Sequence, residues 1–151
     1  MATVVNVDNF VRAETDRMFA ELQKDAGGVN TWTHSRRPTA IDHQTVIRMN
    51  RDTLYSFAVV DISEGATLSL PDAGERYLSA MVVDRDHYIN GLYHEPGDYH
   101  LTVREFDTPW VSWRSPGSAW TEARWPSWPM RMRLGTGTRS KSKGRSAAAR
   151  W

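Results

Sequence analysis

Hydrophobic residues in the first two thirds of the chain recur at two different spacings. Between Asn9 and Gln23, Val11, Thr15, Met18 and Leu22 follow the i, i+4, i+7, i+11 interval of one helical face, with Phe10 and Phe19 beside it and Arg12, Glu14, Asp16, Arg17 and Glu21 on the remainder. That pattern predicts an amphipathic helix docked by one side. Asp8 or Asn9 is placed to cap its start, because a short side-chain oxygen accepts from first-turn N–H groups that have no helical partner. Gly27-Gly28 ends it, since glycine enters the left-handed conformation without a Cβ penalty. Residues 29–44, with Trp32, Arg36, Arg37 and Pro38, show no period and read as an irregular segment.

From Thr45 the spacing drops to two. Thr45–Met49 and Thr53–Asp61 are rich in β-branched and aromatic residues, and in the second run Tyr55, Phe57 and Val59 alternate with Leu54, Ser56, Ala58 and Val60. It is long and apolar enough for a central strand. Turns at Glu64-Gly65 and Pro71–Gly74 predict strands over Ala66–Leu70 and Arg76–Asp84. His87–Tyr93 forms a fifth run, and the type II signature Glu95-Pro96-Gly97-Asp98 precedes Tyr99–Val103. Short strands joined by tight turns predict a mainly β domain, an antiparallel sandwich or jelly-roll-like barrel with one N-terminal helix outside.

Charge changes this picture beyond Thr108. Residues 1–108 carry 10 Lys and Arg against 17 Asp and Glu, whereas 109–151 carry 9 against 1. Six of the seven Trp (Trp110, Trp113, Trp120, Trp125, Trp128, Trp151) fall in the second stretch, which has only Val111 and Leu134 among Ile, Leu and Val. On composition, residues 1–108 form the domain and 109–151 a disordered, non-native tail. Single-base deletion from a GC-rich reading of Val-Leu-Val-Ala yields Val-Ser-Trp-Arg, the residues at 111–114, so the tail reads as out of frame and the chain as truncated. The same deletion would leave the strand reaching Thr108 with an open edge and invite self-association. Tryptophans scattered among Pro, Ser and Gly match no nucleic-acid-binding motif. There is no Cys, which excludes disulfides and thiolate chemistry. The N-terminus lacks a basic start followed by an apolar run, and no window approaches a membrane span, so a soluble, cytoplasmic protein is expected.

Asn50-Arg51-Asp52-Thr53-Leu54-Tyr55-Ser56, then Val60-Asp61, Leu70-Pro71-Asp72 and Arg76-Tyr77-Leu78-Ser79, resemble in order the blocks of the bacterial domain-of-unknown-function family 1254. The resemblance covers roughly residues 5–108, including Val5–Phe10 and His87–Asn90, and is nearest to a short form of that family. It implies a predominantly β sandwich or jelly roll, in other members often followed by a second β domain. It implies no established activity, although carboxylesterase labels are attached loosely to the family.

Two polar clusters could carry chemistry. The first is Arg48, Asn50, Arg51, Asp52 and Tyr55, with Arg76 and Tyr77 from a neighbouring strand. Arg48 or Arg51 could fork onto a substrate carboxylate, Asp52 could act as acid, base or orienting group, and Tyr55 could donate. Equally, Asn50 and Asp52 could organise a turn while Arg76 pairs with a carboxylate. The second is Asp84, His87, Asn90 and His94, with Asp86, Tyr88, Glu95 and His100 nearby. Imidazole and carboxylate together suit metal-assisted hydrolysis, but the spacings match no ligand pattern, so no metal is assigned. Without a Gly-x-Ser-x-Gly elbow, phosphate loop or dinucleotide fingerprint, Ser-His-Asp hydrolysis and nucleotide cofactors are not expected. The sequence therefore predicts a cofactor-free domain that binds a small polar or anionic ligand through the first cluster, with a carboxylesterase-like hydrolase as the alternative.

Overall fold

The computed structural model describes residues 4–44, 47–118 and 131–135. Helix α1 spans Phe10–Ala26, and eight strands follow: β1 (Thr33–His34), β2 (Thr53–Asp61), β3 (Ala66–Leu70), β4 (Ala80–Asp84), β5 (Ile89–Tyr93), β6 (Gly97–Leu101), β7 (Trp110–Ser118) and β8 (Arg131–Leu134). A 3-10 turn covers Ile41–His43 and a one-turn helix, α2, covers Val103–Phe106. All pairings are antiparallel, in a five-stranded sheet ordered β1-β2-β7-β4-β5 and a three-stranded sheet ordered β6-β3-β8.

The two sheets face each other across one core. Ala58 and Val60 of β2, Val82 of β4 and Val111 of β7 meet Ala66, Leu101 and Phe106. Next to them, Ala80 and Trp113 meet Leu68 and Leu70. The mainly β sandwich with one long N-terminal helix expected from the strand spacing is what forms.

Residue-level departures have physical causes. α1 runs to Ala26 and ends at Gly27 in the left-handed conformation (φ 80°), but Asn9 does not cap it through its side chain. Instead Asn9 Oδ1 accepts from the Asn6 N–H at 2.8 Å and its amide donates to the Val4 carbonyl, so the side chain serves the turn before the helix. The buried face centres on Thr15 and Phe19, while Phe10 and Val11 remain exposed. Thr45–Met49 is not a strand over its described part: Ile47 and Arg48 form a turn, and Arg48 takes a positive φ of 61°.

The largest departure is β7. The expectation of disorder from residue 109 fails for Trp110–Ser118, which lies between β2 and β4 and pairs with β2 from Thr53↔Ser118 to Asp61↔Trp110. Trp113, 1% exposed, is among the largest fully buried side chains. Composition misled because a strand needs only alternate residues to be apolar or small: Val111, Trp113, Ser115 and Gly117 are buried on one face, and a single indole fills volume that aliphatic residues would otherwise supply. The fit has costs. The Trp113 indole N–H meets no acceptor among the described residues, where an unsatisfied buried donor costs about 1–3 kcal/mol, and buried Ser115 is satisfied by donating to the Ser79 carbonyl at 2.5 Å. Pro116 is tolerated in a central strand because its carbonyl, which faces the same neighbour as its missing N–H, is directed at Ser79, just before β4 begins. β8 likewise pairs with β3 through Arg131–Leu134. The remainder of the expected tail, 119–130 and 136–151, lies outside the described residues. No strand reaches Thr108: β6 ends at Leu101 on the edge of the smaller sheet, and α2 leads from it to β7 in the middle of the larger one.

Candidate functional site

Strand β2 has two chemically different faces. Leu54, Ser56, Ala58 and Val60 point between the sheets, and Thr53, Tyr55 and Phe57 point outward. Across from them on β7, Arg114 stands opposite Phe57 and is exposed on the same outer face. The Arg114 guanidinium lies 4.4 Å from the centre of the Tyr55 ring and 5.8 Å from that of Phe57, and the two rings are themselves stacked at 5.8 Å. An arginine held over aromatic faces is oriented without losing its charge or its donors.

The segment leading into β2 closes a cavity of about 310 Å³ over this face, and Arg37, Arg48, Asn50, Tyr55, Phe57 and Arg114 are among its lining residues. No carboxylate contributes to the lining among the described residues. The Asn50 amide donates to the Tyr55 hydroxyl at 2.6 Å and to Thr53 Oγ1 at 3.0 Å. Burial pushes the Tyr55 phenol up, but hydrogen bonds with Thr53, Asn50 and Arg114, together with the Arg114 charge, outweigh it and hold the group below its ordinary value. The cavity thus gathers guanidinium, amide and phenol donors against an aromatic wall, and can receive an anion.

Three residues of the first sequence cluster, Arg48, Asn50 and Tyr55, meet here. Arg51 and Asp52 do not line the cavity. Arg51 donates to the Thr39 carbonyl at 2.5 Å, which ties down the segment that roofs the cavity. Asp52 is exposed, and its N–H donates to Asn50 Oδ1 at 2.8 Å, the turn-forming role that Asn and Asp often play at a strand entry. Arg76 and Tyr77 are likewise outside the lining: the Tyr77 hydroxyl donates to Ser79 Oγ at 3.0 Å, and its ring lies 6.1 Å from that of His94. The sequence reading missed Arg37, Phe57 and Arg114. Composition places Arg114 in a tail without structure, and only its register opposite Phe57 reveals it.

The second cluster is structural in its geometry. Asp84 is buried, and its carboxylate accepts from the Asp86 and Tyr88 N–H groups at 2.9 Å each and from the Asn90 amide at 3.2 Å, which shapes the β4–β5 turn where His87 takes φ 69°. His87 Nδ1 contacts Thr15 Oγ1 of α1 at 3.0 Å, and His94 sits apart beside Tyr77. No group of three metal-capable side chains converges among the described residues. One Ser–His contact went unforeseen: Ser56 Oγ and His34 Nδ1 are 2.7 Å apart, and burial followed by the Arg36 charge lowers the His34 pKa. Ser56 is fully buried, so the contact fastens β1 to β2 and offers a substrate no access to the hydroxyl. A larger cavity of about 500 Å³ near Thr67, Asp98, His100 and Arg133 mixes both charge signs on the edge of the smaller sheet.

No described helix is long and apolar enough to cross a membrane. No curated protein matches the chain. Its fold is similar to the crystal structure of the VPA0106 protein from Vibrio parahaemolyticus, with a TM-score of 0.61 and 14% identity over 93% of this chain and 40% of that one. The chain therefore spans less than half the length of that neighbour. The family resemblance carried by the Asn50–Ser56 and Arg76–Ser79 blocks holds: residues 29–103 match, and belong to, the family described as "Protein of unknown function (DUF1254)".

Proposed function

We propose that this domain binds a small anionic ligand in the cavity between the β2–β7 face and the segment that precedes β2. The observation that carries the reading is the lining itself. Arg37, Arg48 and Arg114 come from three separate stretches of chain to one cavity of about 310 Å³, with no carboxylate among its described lining residues. Arginine forks match the geometry of carboxylate or phosphate oxygens, and Asn50 and Tyr55 add neutral polar groups beside them. The positive φ at Arg48 fits a residue held in place for its side chain, because such backbone strain concentrates at functional sites. The hydrolase alternative, built on Asp84 and His87, has no comparable convergence behind it, since Asp84 is committed to its own turn.

The test is thermal unfolding of the full chain in acetate and in inorganic phosphate. A ligand at one hundred times its dissociation constant stabilises the native state by about 2.7 kcal/mol, which raises the melting temperature by several degrees. Arg114→Ala is expected to remove that increment while leaving the unliganded midpoint within a few degrees of the parent. Equal stabilisation of parent and variant, or of neither, refutes the reading. A p-nitrophenyl ester assay with and without chelator covers the alternative, which gains support only if hydrolysis disappears in Asp84→Ala or His87→Ala.

A further inference from the structure

The outer face of the larger sheet continues beyond the arginine-lined cavity. Because β4 pairs with β7 in register, Phe57, Arg114 and Met81 stand in one row across three strands, and Val59, Ser112 and Val83 form the next. A second cavity of about 350 Å³ opens between that face and α1, with Met18, Leu22, Phe57, Met81 and Val83 among its apolar walls. Phe57 and Arg114 line both cavities. The Arg114 guanidinium reaches toward Tyr55, and a long cationic side chain can lay its aliphatic stem along an apolar wall while its head stays polar. Charge is polarised along the track. The first cavity is lined by arginines without a carboxylate among its described lining residues, whereas the second is bordered by Asp25, by Glu21, which pairs with Arg17, and by His87, with the negative end of the α1 dipole nearby.

We infer that the ligand is an aliphatic carboxylate of medium chain length, its head held by the arginine-lined cavity and its tail lying past Phe57 into the apolar cleft under α1. The inference rests on the anion-site reading above and adds the tail. Each cavity alone lies near the lower end of the size range of small-molecule sites, and together they offer a path for an elongated molecule. The polarity of the track sets the orientation: a carboxylate pointed at α1 would leave the arginines and approach Asp25 and the helix C-terminus, while an uncharged tail meets no such penalty there.

Isothermal titration of the full chain with acetate, octanoate and decanoate below their micelle-forming concentrations, and with inorganic phosphate and decylammonium, tests this. Decanoate is expected to bind at least about thirtyfold tighter than acetate, with octanoate between them, because each buried methylene adds several-fold in affinity. Leu22→Trp, and independently Met18→Trp, fill the cleft and are expected to reduce the decanoate preference to within about threefold of acetate while acetate binding is retained. Two variants on the helix surface guard against a folding defect in either one. Acetate and phosphate binding as tightly as decanoate overturns the tail while leaving the anion site intact. Decylammonium matching decanoate overturns the orientation, and no binding by any of these anions overturns the anion site itself.

Discussion

At the scale of single residues, the site depends on Tyr55 and Arg114 holding each other in place. Arg114 lies over the Tyr55 ring, and burial, which pushes the phenol up, is outweighed by its polar neighbours Thr53 and Asn50 and by Arg114, which hold it below the ordinary tyrosine value of about 10. The sign of the consequence follows. Below that lowered pKa the group is a neutral donor or acceptor, and above it a phenolate sits beside any bound anion among Arg37, Arg48 and Arg114. Anion affinity is therefore expected to fall as pH rises through the lowered value, starting below pH 10. The loss should be on the order of fivefold, from ~1 kcal/mol between unit charges 4 Å apart in water. Tyr55→Phe is expected to flatten this alkaline limb in titrations followed across pH, and a limb that persists in the variant removes Tyr55 from the site. Residue types alone place Arg48, Asn50 and Tyr55 in one polar cluster, because polar side chains crowded at a strand entry are visible in one dimension. Arg51 and Asp52 were indistinguishable from them at that level, since only the backbone path decides which of five neighbouring polar groups turn inward.

Among the elements, α1 is fastened to the β4–β5 turn, where Asp86 and His87 of the second polar cluster serve as anchors. Arg12 pairs with Asp86, Arg85 with Asp16, and His87 meets Thr15, so the β4–β5 turn clasps the helix at three points. Asp84 shapes that turn from within. Breaking the Arg85–Asp16 pair with Arg85→Ala is expected to cost about 1 kcal/mol, because both side chains are only partly exposed, and to speed hydrogen exchange in α1 more than in β2. Urea titration with residue-resolved exchange measures both, and uniform acceleration across all elements would show that the clasp is not local. Strands β2 and β3 begin and end where their alternation and flanking turns said they would, since each is bounded by Gly, Pro or Asp and is apolar on its inward face. β4 and β5 start later than expected because the Leu78 bridge to Gly117 and the left-handed His87 consume the residues that precede them.

For the molecule as a whole, the decisive fact is that β7 occupies the middle of the larger sheet. A chain ending at residue 109 would lose the partner of both β2 and β4 along with Val111 and Trp113 from the core. Ordinary domains hold only about 5–15 kcal/mol of net stability, and removing one large buried aromatic alone costs about 3–5 kcal/mol. A 1–109 fragment is therefore expected to lack cooperative unfolding by circular dichroism and dispersed amide resonances, whereas a fragment that retained both would show that the first 109 residues pack unaided. The sequence by itself determined the class of this protein, its amphipathic helix, the strands of the matched family region and the polar entry to β2, because periodicity and turn chemistry are local properties written along one stretch of chain. Only the tertiary structure decided that a Trp- and Ser-bearing segment completes the sheet and that Arg114 joins Arg37 and Arg48 across one cavity. Those outcomes depend on cross-strand register and on backbone hydrogen bonds between distant segments, which composition does not encode.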